Sequence, residues 1–352
     1  MNAHFLWLRI VLAGSVVLAH FAAISGDERH GPQLMSSTVA VQAFFVISGW
    51  IVPASAERSA TTLGFWVRRF ARLYPLYFVV VCAQGLCGLV FGEPAAHPAR
   101  ELLRYIAVNA VFANFLQPSL FGLFADAPVH AFNPSLWTLK IEVMFYLVAP
   151  LFVLCYRAQR TRALIALGVG SVALYYLARL RSEEFARQLP GQLRFFVAGF
   201  ICWRLSTLQV GVHQDARRTR WMLVPLALLG VVLAHKLENL PWWGFLQPVA
   251  VAVFVYGLAH SLPEPRRMPD ISYGLYILHA PLIQLGFLLG WWSTHAYKSG
   301  LALAFAMTAA LAALSWYGLE QPAIALARRV SQRIDRRSPA PTQAAYPSEV
   351  QP

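Results

Sequence analysis

The stretch "LWLRIVLAGSVVLAHF" at residues 6–21 is apolar enough to enter a lipid bilayer, yet it carries Arg9 and His20. These residues are eleven positions apart, which at 100° per residue puts them about 20° apart on one helix face, roughly 16 Å along the axis. Ionisable side chains inside a bilayer are costly and usually face the protein interior, so the shared face predicts a functional role. The alternative is that Arg9 reaches a lipid phosphate while His20 bonds a neighbouring helix.

The composition of the whole chain indicates a membrane protein. Of its 352 residues, 58% are hydrophobic and only 13% are charged, with a mean hydropathy of +0.52, whereas a soluble domain carries about 25% charged residues. The net charge of +13 comes largely from arginines in short loops, where they act as topology signals, so we expect no nucleic-acid partner. The four cysteines lie in apolar runs without ligand spacing, so neither disulfides nor a metal site is expected.

Apolar segments of spanning length predict an all-α, polytopic integral membrane protein with about ten transmembrane helices. They lie near residues 5–24, 37–55, 74–92, 136–156, 163–180, 191–209, 222–236, 243–262, 271–290 and 300–319. Segment 105–124 has polar breaks and is either an eleventh span or a re-entrant or peripheral segment.

The arginines decide how these segments are oriented. If segment 105–124 does not cross and the N-terminus is cytoplasmic, seventeen arginines fall on the cytoplasmic side, as the positive-inside rule requires. We therefore predict a re-entrant or peripheral segment and both termini in the cytoplasm. The expected domain covers residues 1–325, and a basic, disordered cytoplasmic tail is expected at 326–352.

Two further groups of polar residues are candidates for chemistry. Arg68, Arg69 and Arg72 follow the second segment, and guanidinium groups pair bidentately with phosphate. Topology and anionic-lipid binding are the alternative explanation for these arginines. His279, in "ISYGLYILHAP" at 271–281, lies near the middle of an apolar segment. It is either part of a site or a histidine bonded to a nearby hydroxyl or carbonyl.

Glu142 lies in the apolar stretch "NPSLWTLKIEVMFYLVAP" at 133–150, where an acid is a functional-site hypothesis by default. Lys140 is two positions away and therefore points to a different helix face. We predict that Glu142 has its partner on another helix, at a depth similar to that of His20. There a carboxylate would orient the imidazole and raise its basicity.

Six motifs in order along the chain resemble the membrane-bound acyltransferase-3 family. They are Arg9…His20, "FFVISG" at 44–49, Arg69…Arg72, "WTLKIEVMFY" at 137–146, "SYGLYILHAP" at 272–281 and "EQP" at 320–322. The resemblance covers nearly the whole chain, but "AVQAFF" at 40–45 replaces the glycine and the acid found before the second motif in many members. This departure concerns the pocket and therefore the acceptor.

The resemblance implies an O-acyltransferase of the bacterial inner membrane. An acyl group, usually acetyl, would pass from cytoplasmic acyl-coenzyme A to a hydroxyl of a carbohydrate or glycolipid, with no permanently bound cofactor. His20 is then the catalytic base, and Arg69 and Arg72 contact the coenzyme A phosphates. The expected catalytic residues are His20, Glu142 and Arg9, and the expected substrate-binding residues are Arg68, Arg69, Arg72, Trp137, Tyr273 and His279.

The proposed mechanism requires a lengthwise channel. Coenzyme A is polyanionic, so its nucleotide is expected to stay at the arginines while its thin pantetheine arm reaches His20 between the helices. A transporter or flippase for a lipid-linked sugar or small molecule is the alternative; it predicts internal repeats with broken helices, and the polar residues of the two halves do not correspond. A purely structural membrane protein leaves the histidine, arginine and glutamate set unexplained.

Overall fold

The computed structural model describes residues 4–27, 35–93, 96–208, 216–261, 268–292 and 296–337. Within these ranges the chain forms helices and turns and has no β-strand, which confirms the predicted all-α class. The helices are α1 (His4–Ser25), α2 (Ser37–Glu57), α3 (Thr62–Phe91), α4 (Pro98–Ala110), α5 (Leu136–Gln159), α6 (Thr161–Arg181), α7 (Glu183–Ala186), α8 (Leu189–Leu208), α9 (Ala216–Glu238), α10 (Gln247–Ser261), α11 (Ser272–Leu288), α12 (Tyr297–Ser315) and α13 (Gln321–Arg337). A π-helical turn, Trp316–Glu320, joins the last two.

Six helices in the described ranges are long and apolar enough to cross a membrane. They are α1, α2, α3, α5, α6 and the continuous helix at 297–336 that contains α12 and most of α13. Every one of the ten predicted segments coincides with a helix, but those on α8 to α11 fall outside this set, so the number ten stays a prediction. α6 exposes Ile165, Val169, Leu177 and Leu180, which are suited to lipid.

Segment 105–124 does not form a continuous helix. α4 ends at Ala110 after 13 residues, about 20 Å of helix, which is short of the roughly 30 Å bilayer core. The chain then runs without helix to Ser135 and is tied to the bundle by side chains. Tyr77 donates to the Asn109 carbonyl in the last turn of α4 (2.6 Å), and Gln284 donates to the Val129 carbonyl in the stretch that follows (2.7 Å).

The helix that carries the arginine motif begins earlier than the sequence indicates. The predicted span began at residue 74 after a loop at 56–73, but α3 begins at Thr62. Thr61 caps it by accepting a hydrogen bond from the Gly64 amide (3.0 Å), and Pro75 is accommodated within the helix. Arg69 and Arg72 are therefore three positions apart on a helix, which puts them on one face.

The disorder predicted from residue 326 is wrong for residues 326–337, which belong to α13. Ala327 and Ser331 on this helix are buried, and Asp335 accepts a hydrogen bond from Thr61 (2.6 Å). The three positions recur every four residues, so one face of a very basic segment packs against α3. Residues 338–352 lie outside the described residues.

Helix α2 lies at the centre of the bundle and contacts α1, α5, α8 and α10. Its crossing with α8 depends on two glycines. A Cβ atom at Gly49 would lie 1.9 Å from the Phe196 carbonyl oxygen, and one at Gly199 would lie 2.0 Å from that of Val46. The glycine that ends "FFVISG" is therefore required by close backbone contact.

Replacing Gly49 with alanine is expected to destabilise the fold by about 1–3 kcal/mol or more, because the added methyl group meets backbone rather than a movable side chain. The measurement is thermal unfolding of the purified protein in detergent. Gly170→Ala is the matched control, since a Cβ there meets no atom within 4 Å. Equal stability of the two variants would contradict the proposed role of the close crossing.

Candidate active site

A cavity of about 490 Å³ lies at the end of the bundle where α2 ends and α3 begins. We call it the arginine cavity, because six arginines line it: Arg9, Arg58, Arg68, Arg69, Arg72 and Arg328. Among its described lining residues, Glu142 alone is acidic. Basic side chains converge from three helices and from the residue that follows α2, so the cavity has a positive potential and suits a polyanion.

Two of these arginines are held in a buried ion network. Asp270 accepts hydrogen bonds from Arg9 and from Arg72 (2.7 Å), and Arg72 also donates to Glu320 (2.6 Å). Ser272 donates to the second oxygen of Asp270 (2.7 Å). The side chains of both carboxylates are only 1% exposed. Through these bonds the network joins α1, α3, the start of α11 and the π-helical turn.

The charge of Asp270 is maintained by its partners. This residue lies in the segment before α11, outside the membrane-spanning helices. Burial acts to raise the pKa of Asp270, but the charges of Arg9 and Arg72 outweigh it and hold the pKa well below its usual range. Arg72, predicted to bind phosphate, is thus already paired with two carboxylates, and its contact with phosphate stays a prediction.

Arg69 is the more available of the two motif arginines. Its guanidinium lies over the rings of Phe65 (5.8 Å) and Tyr146 (5.9 Å) and makes one long contact to the Ile51 carbonyl (3.4 Å). Its buried Nε has no hydrogen-bonding partner in the described part of the chain. A guanidinium held by rings, with donors left over, is well suited to a phosphate oxygen.

Glu142 lies at the inner wall of the arginine cavity rather than beside His20. Ser48 donates to its carboxylate (2.8 Å), while Lys140 lies over the Phe115 ring (4.3 Å). The residue of this region that contacts the His20 ring is Ser135, directly before α5. Glu142 is seven residues after Ser135, which is about 10 Å further along the axis of α5. The prediction of similar depth is therefore wrong, and no described contact supports Glu142 as the residue that orients His20.

His20 is paired with another histidine. Its Nδ1 lies 2.8 Å from Nε2 of His279, and the two rings are stacked with centroids 4.9 Å apart. The hydroxyl of Ser135 is 3.5 Å from each of these nitrogens. His279 is fully buried, whereas His20 is partly exposed, so the pair has one accessible ring.

The arginine cavity ends one helical turn before the histidine pair. Thr138 and Tyr276 line its inner end and are hydrogen-bonded to each other (2.7 Å). We call His20, His279 and Ser135 the histidine cluster. Thr138 is three residues from Ser135, and Tyr276 is three residues from His279. Neither described cavity continues past this hydrogen bond to the histidine pair, so the lengthwise channel stays a prediction.

The remaining predicted substrate-binding residues have different surroundings. Arg68 lies at the cavity mouth, where it donates to Ser59 (2.5 Å) and approaches Asp335 (3.5 Å). Tyr273 lines the cavity and donates to the Leu73 carbonyl (2.7 Å). Trp137 packs against the apolar core and lines neither of the two cavities described here.

Sequence reasoning missed Asp270 and Ser135 as site residues. Asp270 lies in a short segment that had been assigned only a topological role, and Ser135 precedes the motif that drew attention to Glu142. Glu320 belonged to the "EQP" motif without an assigned role. The sequence signal for Asp270 was its position directly before "ISYGLYILHAP".

A second cavity of about 490 Å³ lies at the opposite end of the bundle, and we call it the distal cavity. It is bounded by the C-terminal end of α1 at Ser25, by Gln284 on α11 and by residues 91–93 and 121–128. Its lining contains the carboxylates of Glu93 and Asp126 and several phenylalanine rings. Ser25 and Gln284 each follow a histidine of the pair by five residues, about 8 Å of helix.

Comparison with known proteins identifies the class. The acyltransferase domain that defines the acyltransferase-3 family matches residues 3–320. The chain is 29% identical over 340 residues to nodulation protein 10 of Rhizobium leguminosarum bv. viciae, covering 87% of this chain and 89% of that protein. It is 27% identical over 271 residues to acyltransferase MdmB of Streptomyces mycarofaciens (73% and 63%) and 27% over 299 residues to peptidoglycan O-acetyltransferase OatA of Listeria monocytogenes (70% and 45%). No solved structure matches the chain.

These matches and the helical bundle define a multi-pass membrane protein that is an acyltransferase. The chain belongs to the acyltransferase-3 family, as its ordered motifs indicated. The transporter alternative is therefore set aside. The chain spans less than two thirds of the length of two of the relatives named above, so their activities enter only as proposals.

Proposed function

We propose that this protein moves an acyl group, most simply acetyl, from acyl-coenzyme A to a hydroxyl of a carbohydrate or glycolipid, with His20 as general base. The observation that carries the proposal is that the arginine cavity and the histidine pair follow one another along the bundle. The arginine cavity suits the phosphates of the donor, and the histidine pair lies one helical turn beyond its inner end.

The donor site is proposed on the arginines that have no carboxylate partner among the described residues. Arg69 provides the inner contact, and Arg58 and Arg328 line the same cavity. Charge-assisted hydrogen bonds from guanidinium to phosphate are about twice as strong as neutral ones, which favours a multiply phosphorylated donor. The pantetheine arm would then part the hydrogen bond between Thr138 and Tyr276 to bring the thioester to His20.

The chemistry at His20 is a balanced acyl transfer. Its neutral imidazole takes the proton of the acceptor hydroxyl while the oxygen attacks the thioester carbonyl. The tetrahedral intermediate collapses with cleavage of the carbon–sulfur bond, and the imidazolium returns the proton to the departing thiolate. An ester and free coenzyme A are the products, and the histidine regains its initial state.

The acceptor is proposed to approach through the distal cavity. Carboxylates and aromatic rings suit the hydroxyls and apolar faces of a sugar, and Glu93 and Asp126 disfavour an anionic phosphate there. The name of the Listeria relative describes O-acetylation of peptidoglycan, which supports a carbohydrate acceptor. The wealth of arginines at the opposite end favours a cytoplasmic position for that end in a bacterial inner membrane.

Replacing Arg69 with alanine is expected to weaken coenzyme A binding by about 10-fold or more, because a charge-assisted hydrogen bond to phosphate is lost. The measurement is calorimetric titration of the purified protein with coenzyme A. Arg162→Ala is the control, since it removes an equal charge from an exposed position outside the cavity. Equal affinity of both variants would limit Arg69 to a topological role.

The decisive test of the proposed function is mass spectrometry of cell-envelope carbohydrates. A deletion strain is expected to lack one O-acyl mass increment, which names both the acyl group and the acceptor. Complementation with the wild type restores it, and complementation with the His20→Ala variant does not. Identical glycans in all strains would overturn the carbohydrate assignment.

A further inference from the structure

The backbone of α11 determines which nitrogen of His279 carries a proton. Nδ1 of His279 lies 3.0 Å from the carbonyl oxygen of Leu275, one turn earlier in the helix. A carbonyl oxygen only accepts hydrogen bonds, so Nδ1 must carry the hydrogen. In the neutral ring, Nε2 is then an unprotonated acceptor.

That acceptor fixes the tautomer of the second ring. Nε2 of His279 lies 2.8 Å from Nδ1 of His20, and two lone pairs would repel each other at this distance. Nδ1 of His20 therefore carries the hydrogen and donates it to His279. The lone pair of neutral His20 is left on Nε2, which has no hydrogen-bonding partner within the described residues.

We infer that His279 is a positioning residue, which transmits the constraint of the Leu275 carbonyl to His20 and leaves Nε2 of His20 as the basic nitrogen. This inference rests on the proposed function for its catalytic meaning, but the tautomer itself is a property of the resting protein. A histidine pair thus does the orienting work that the sequence had led us to expect of Glu142.

The hydrogen bond between His20 and His279 also stabilises His20 after it has taken up a proton. When Nε2 of His20 accepts the proton of the acceptor hydroxyl, the ring becomes an imidazolium, and its Nδ1–H bond to His279 becomes charge-assisted. The proton stays on His20 until the leaving thiolate takes it. His279 keeps its hydrogen on Nδ1 throughout, held by the Leu275 carbonyl.

Nitrogen NMR of the full-length protein, labelled with ¹⁵N-histidine in detergent micelles, tests the tautomer directly. The ring nitrogens of His20, assigned by comparison with a His20→Gln variant, are expected to show a protonated Nδ1 and an unprotonated Nε2. His260 provides a reference in the same spectrum, since its Nδ1 lies 2.8 Å from the Tyr256 carbonyl. In the His279→Ala variant, His20 is expected to lose this single tautomer, whereas in His260→Ala it keeps it.

A second test measures the activity of two variants of His279. His279→Ala is expected to lower turnover, by up to the roughly 10⁴-fold that follows when a catalytic histidine loses its orienting group, with the acyl-coenzyme A KM unchanged. His279→Gln is expected to recover most of the loss, because its amide oxygen accepts from Nδ1 of His20. A wild-type His20 protonated on Nε2, or a tautomer unaffected by His279→Ala, would overturn the inference. A correct tautomer in a protein whose His20→Ala variant stays active would instead overturn the proposed function alone.

Discussion

Replacing His20 with alanine is expected to lower acyl transfer by roughly 10²- to 10⁴-fold, the contribution that a positioned general base typically makes. The basic nitrogen of the partly exposed ring has no hydrogen-bonding partner among the described residues. His279, the other histidine of the pair, cannot replace it, because its Nε2 faces His20 from a buried position. The measurement is release of coenzyme A from acetyl-coenzyme A by membranes that contain the natural acceptor.

His260→Ala is the matched control for this experiment. His260 is also a partly exposed helix histidine whose Nδ1 faces the carbonyl four residues earlier, and it lines neither described cavity. Its loss is expected to leave transfer within a few-fold of the wild type. The proposed base is wrong if His20→Ala retains full activity while remaining folded, as judged by its thermal transition in detergent.

Replacing Asp270 with asparagine is expected to destabilise the fold by about 3–5 kcal/mol, because it leaves buried guanidinium groups without their shared carboxylate. Arg9 would lose its described ion-pair partner, and Arg72 would keep only Glu320. The measurement is thermal and chemical unfolding of the purified protein in detergent.

The matched control for Asp270→Asn is Asp335→Asn, which removes a carboxylate from a partly exposed ion pair with Arg68. Exposed pairs contribute about 0–1 kcal/mol, so this variant is expected to be close to the wild type in stability. The pKa of Asp270 is lowered on folding. Its contribution is therefore fully present above the unfolded value of about 4 and is lost as the pH falls through the folded pKa. Equal stability of the two variants would contradict the ion network.

The shared helix face of Arg9 and His20 could be predicted because a helix has a fixed rise and rotation per residue. Both side chains have protein partners, Asp270 for the first and His279 for the second, as their shared face indicated. The partners themselves could not be predicted from the sequence. They lie about 260 residues away, and which side chain meets which depends on how α1 packs against the start and the middle of α11.

Errors at helix ends had larger consequences than errors in helix existence. The sequence predicted that Glu142 lies level with His20, but α5 begins at Leu136, and nearly two further turns separate Glu142 from that level. α3 begins about three turns before the predicted span, which turned a presumed loop of arginines into an ordered helix face. Local sequence determines that a helix forms, whereas its depth in the bundle is set by its neighbours.

The closure between Thr138 and Tyr276 has a consequence for the cell that hosts the enzyme. The arginine cavity and the distal cavity share no lining residue, and the histidine cluster separates them. As long as these side chains stay in place, we expect no continuous water path between the two cavities and therefore no leak of the proton-motive force.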